Sequence, residues 1–164
     1  MRTSQRMIQI GYMLCCVLAI ICLLPHYCTI DYSKVSLFGM YLDPQTYNTT
    51  YTGLQLKRFW PIIPLAVLGI FFMLFKYRRG IITAIGLVLT GELFLMIFTT
   101  YFLEDSLKTT TKLISLAVGM PADVEKAMNQ VRIIPGPGPY MGVVVGTLMA
   151  VFTLLCFAKV PNPD

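Results

Sequence analysis

The chain has 164 residues, 56% of them hydrophobic and 13% charged, with a formal net charge of +5 and a mean hydropathy of +0.70. An ordinary water-soluble domain carries roughly 25% charged residues, so a chain this apolar could not cover its surface in water. Lipid must be the solvent for much of it, and the length allows one compact unit.

Residues 1–6 are polar, with Arg2 and Arg6, and an uncharged apolar run over 7–24 ends at Pro25. No small-x-small cleavage site precedes Pro25, so the run reads as a spanning helix that doubles as an insertion signal. Residues 25–59 form a first soluble segment. Val35–Leu42 is strand-like, Asp43-Pro44 opens a turn in a loop over 43–48, and Thr49–Leu56 alternates and carries Thr and Tyr51. This pattern predicts a β-hairpin. A lone two-stranded hairpin is marginal in water, so it is expected to lean on another element or on lipid. Asn48-Thr49-Thr50 fits a glycosylation sequon, a common chance match.

Trp60, a residue suited to the headgroup boundary, begins a second span over 60–75. A basic turn at 76–79 leads to a third span over 80–102, whose one charge is Glu92 near its centre. Residues 103–139 form a second soluble segment. Ser106 is expected to cap a helix over 107–118, either separate or continuing the third span, and Gly119 and Pro121 to break it. A short helix is expected over 122–132, with Val124, Ala127, Met128 and Val131 on one apolar stripe. Pro135-Gly136-Pro137-Gly138-Pro139 reads as a stiff, non-helical return to the membrane, before a fourth span over 140–158.

Six basic residues (Arg2, Arg6, Lys76, Arg78, Arg79, Lys159) lie in the 16 residues at one end of the spans. The two long segments hold seven basic residues in 72, with six acids among them. The positive-inside rule then places both termini and the basic turn in the cytoplasm of a cell membrane, plasma or bacterial inner. The positive charge is thus a topological signal. Clustered Lys and Arg in a soluble region are missing, which argues against nucleic acid as a partner. The expected class is an all-α membrane protein, a four-transmembrane-helix bundle with both termini cytoplasmic and a small extracytoplasmic cap. The layout resembles the claudin-type four-span plan in topology: a long first outer segment, a tight inner turn and a second outer segment. The tryptophan and paired-cysteine motif of that family's first outer segment is missing, and no junction-forming role is carried over.

Glu92 is the first functional candidate, because an ionised carboxylate in mid-bilayer costs at least about 2–3 kcal/mol. The spans contain no Lys or Arg to pair with it. Three readings stand: a neutral carboxyl hydrogen-bonded to a neighbour such as Thr147 or Thr90, a contact with a basic partner subunit, or a proton or ion site. Gly142, Gly146 and Ala150 come second, at i, i+4 and i+8, a spacing that lets helix backbones approach closely within the bundle or between chains. Gly86 with Thr90 is the candidate facing surface. Val124, Met128, Val131, Tyr51 and Trp60 are the candidate outer contacts.

No catalytic triad, metal set or cofactor motif is present. His26-x-Cys28 is too little for a metal site, which wants about four ligands, and four of the five cysteines lie in apolar runs, where cysteine behaves as a small hydrophobe. The expected function is a non-enzymatic accessory, assembly or interaction subunit, contacting membrane lipid and another membrane protein or a second copy of itself. The alternative is a small ion- or proton-coupled transporter or channel subunit using Glu92.

Overall fold

The structure is a computed structural model that describes residues 2–32, 34–37, 40–41, 48–75, 79–118 and 122–159. Four of its helices are long and apolar enough to cross a membrane, and a small three-stranded sheet lies at one end of them. Helix α1 is Arg2–Ile21, α2 is Ile62–Phe75, α3 is Arg79–Val118 and α5 is Pro137–Lys159; the short α4 is Ala122–Asn129. Contacts run α1 to α2, α2 to α3, α3 to α5 and α5 back to α1, closing an up-and-down ring of four.

The ring closes because each helix carries one buried stripe at three- and four-residue spacing. On α1 the stripe is Ile8, Tyr12, Cys15, Cys16 and Ala19, continued by Cys22 just past its end. On α3 it is Ile82, Ile85, Leu89, Leu93, Met96 and Thr100; on α5 it is Val145, Met149, Thr153 and Cys156. That spacing is the one that packs antiparallel helices at small crossing angles. Tyr12 buries its ring completely and donates its hydroxyl to the Ile82 carbonyl oxygen at 3.0 Å, so the polar tip is satisfied across the interface. Small residues set the closest approach. A Cβ on Gly142 would fall 3.0 Å from Met96 Sδ, and one on Gly146 would fall 3.2 Å from Leu93 Cβ. Both glycines therefore face α3 of the same chain. Gly146→Leu is expected to lower the stability of the bundle by about 2 kcal/mol through overpacking; unchanged thermal unfolding in detergent would contradict this placement.

Of the two readings of residues 107–118, the one that continues the third span holds; the Ser106 cap and the stretch at 135–139 are corrected. Helix α3 runs unbroken for 40 residues through Ser106, which is an interior position and caps nothing. Residues 92–118 contain no Gly or Pro, and Glu104 and Lys108 form an i,i+4 ion pair at 2.6 Å where a boundary was expected. The stretch at 135–139 is not a non-helical return: it is the end of strand β5, Arg132–Pro135, followed by Gly136 and the first turn of α5. Pro137 and Pro139 fit there because the first turn of a helix has no intrahelical acceptor for their missing N–H groups.

The strand pairing also differs from the expected hairpin. Strand β1, His26–Asp31, is central; β4, Thr49–Thr52, pairs antiparallel on one side and β5 on the other. Residues at 36–37 pair only with 40–41, as a separate two-residue ladder of β2 (Ser36–Leu37) and β3 (Met40–Tyr41). The expected turn around 43–47, the basic residues 76–78 and the tail 160–164 lie outside the described residues. Three strands win over two because β1 and β5 both have apolar side chains to bury on the helix ends. Tyr27, Cys28 and Ile133 are buried, and the Tyr27 hydroxyl donates to the Met96 carbonyl oxygen of α3. Gly136 N donates to Tyr27 O at 2.7 Å, extending the β1–β5 ladder to the mouth of α5.

All five cysteines are buried thiols, none of them in a disulfide. Burial pushes the Cys28 thiol up from its ordinary value, and the thiolate is the reactive form. A water-soluble maleimide should leave Cys28 unmodified in the folded protein and label it after denaturation. Rapid labelling of the native protein at Cys28 would contradict its place beneath the sheet.

Candidate functional site

The polar site forms where the sheet end meets α2 and α3. A 3-10 turn, Lys57–Phe59, sits just before α2. Phe59 is fully buried and packs its ring on Tyr27, centroids 5.0 Å apart, which pins the turn to the core. Arg58, next to this anchor, reaches across to α3. Its Nη1 lies 3.6 Å from Glu92 Oε2, with the Arg58 side chain 55% exposed and that of Glu92 17% exposed. At this distance the contact is an ion pair rather than a hydrogen bond. Glu92 Oε2 is indeed buried with no hydrogen-bond partner, so Coulomb attraction to Arg58 is what offsets its charge.

The internal cation was not legible in the sequence, where Arg58 belongs to the first soluble segment. The two threonines considered beside Glu92 are engaged elsewhere. Thr90 donates to Gly86 O at 2.8 Å on its own helix, and Thr147 is exposed and donates to Val143 O at 2.9 Å. The depth also shifts. Glu92 lies 13 residues beyond the start of α3, about 20 Å along its axis at 1.5 Å per residue. That is a few ångströms past the midpoint of the apolar Arg79–Tyr101 stretch, displaced toward the sheet end and within reach of a long side chain from Arg58.

The helix-packing candidates share one contact, between α3 and α5. Gly142 and Gly146 of α5 meet Leu93, Phe94 and Met96 of α3, and from the α3 side a Cβ on Gly86 would collide with Thr153 of α5. Ala150 is half-buried. Among the outer candidates, Tyr51 packs against the core. Val124 and Val131 are half-buried and Ala127 is buried, so part of the α4 stripe covers the protein's own body. The Met128 side chain lies outside the described residues. Trp60 is exposed and donates its indole N–H to Leu54 O at 2.8 Å.

Among the described residues no group of three or more His, Cys, Asp or Glu side chains is placed to hold a metal ion. The comparisons with known proteins are empty: no family model, no curated protein and no solved structure matches this chain.

Proposed function

We propose that this chain is a multi-pass integral membrane protein acting as a non-enzymatic accessory, assembly or interaction subunit of a membrane protein complex. Four helices show apolar side chains on both faces. Outside the buried stripes, Leu14, Val17 and Leu18 on α1, Phe71 and Leu74 on α2, Leu87 and Val88 on α3 and Val144, Val151 and Leu154 on α5 all point outward. A helix that is hydrophobic all round, with one face already packed, calls for lipid on the other. Tyr101 and Tyr140 meet through their hydroxyls and, with Trp60, supply the aromatic residues expected at a headgroup boundary. From Arg79 to Tyr101 the helix rises about 33 Å, close to the roughly 30 Å of a bilayer core. In this reading the sheet end is extracytoplasmic and both termini are cytoplasmic, in a plasma or bacterial inner membrane.

The observation that carries the accessory role is the remainder of α3. Past Tyr101 the same helix continues through Val118, about 25 Å beyond the boundary. Leu107 and Leu113 on it are 41% and 63% exposed. A bundle that only needed to close would end near the boundary. A rigid arm with apolar side chains in water suits a partner's extracytoplasmic surface. A photo-crosslinking side chain at position 107 or 113, activated in native membrane, should capture a second protein at one dominant mass. Capture of lipid alone at both positions would overturn the accessory reading. The carrier alternative needs a Glu92 free to exchange its counter-ion, and Arg58 occupies it.

A further inference from the structure

We propose that the groove at the mouth of α2 holds an anionic phospholipid of the leaflet at the sheet end, with Lys57 on its phosphate and one acyl chain along the wall below. The proposal rests on the membrane reading above. The groove has a volume of about 570 Å³ and is lined by Lys57, Trp60, Pro61, Ile63 and Pro64. Its wall is almost wholly apolar, and among the described residues Lys57 is the one charge lining it. Two cations in succession before a helix N-terminus oppose the helix dipole. Arg58 is balanced by Glu92; Lys57 is exposed, and no acid is among the described residues that line the groove. An anion from outside supplies the missing complement, and the headgroup boundary marked by Trp60 is where lipid phosphates lie. A lysine suits this as a point charge on a flexible stem. The indole of Trp60 is fixed by its bond to Leu54 O, so the wall keeps its shape.

Trp60 is the sole tryptophan of the chain, so its fluorescence reports on this groove alone. The full chain is reconstituted in vesicles of phosphatidylcholine with brominated phosphatidylglycerol, or with brominated phosphatidylcholine, at matched mole fractions. Quenching should show a preference of about fivefold for the anionic lipid at low salt, one basic residue's worth of attraction, shrinking as ionic strength rises. Lys57→Gln should bring the preference to about one, and Lys57→Arg should keep it, both variants having wild-type helical circular dichroism. Equal quenching by the two lipids in the wild type, or a preference unchanged in Lys57→Gln, would overturn the lipid site. Absence of quenching by either lipid would overturn the membrane reading itself.

Discussion

Arg58→Leu should destabilise the protein by about 2 kcal/mol. The substitution strands a carboxylate whose Oε2 is buried and has no hydrogen-bond partner. Breaking a fully buried pair costs roughly 3–5 kcal/mol, and the more than half-exposed Arg58 side chain lowers that figure. Glu92→Gln should cost less, because a neutral amide removes the charge along with its partner. The double variant Arg58→Leu, Glu92→Leu should recover most of the loss, as apolar pairs do in place of buried ion pairs. Thermal unfolding in mild detergent of the wild type, Arg58→Leu, Glu92→Leu and the double variant gives the coupling energy directly. Additive losses in the double variant would remove the ion pair from the account.

Gly136→Ala should be more damaging still, at about 3 kcal/mol. The added Cβ would lie 2.3 Å from the His26 carbonyl oxygen and 2.6 Å from its imidazole. The carbonyl is backbone and cannot rotate aside. Relief requires β1 and β5 to part, and that breaks the bond from Gly136 N to Tyr27 O and moves the start of α5. Gly138→Ala, two residues on, meets the same carbonyl oxygen at 3.2 Å, and should cost at most about 1 kcal/mol. Hydrogen exchange of the β1 amides should quicken in Gly136→Ala and not in Gly138→Ala. Wild-type melting of Gly136→Ala would show that the strand and helix are not joined at this point.

The helices were legible because their signal is local. Uncharged runs near 18 residues, Pro25 and Pro61 at their ends and the spacing of Gly142 and Gly146 are all read within a few turns. What was missed is non-local or concerns where a helix stops. Strand β1 pairs Cys28 with Pro135, a partner more than 100 positions away that no local pattern signals. Its own alternation is hidden by its closeness to the apolar run of α1. The exit of α3 was left open between a separate helix and a continuation because Glu104 and Asp105 look like a boundary, although charge does not end a helix in water and only Gly119 and Pro121 break the pattern. The Arg58–Glu92 pair depends on how deep Phe59 anchors its turn and on the length of an arginine side chain. The one trace of it in the sequence was a cation two residues before Trp60.

The most direct measurement is purification from native membrane in a mild detergent, with the mass of the intact particle and the identity of what comes with it. A discrete complex with a second membrane protein in fixed ratio is the predicted result. A monomer or a homo-oligomer that binds only lipid would contradict the accessory role and return Glu92 and ion flux to first place.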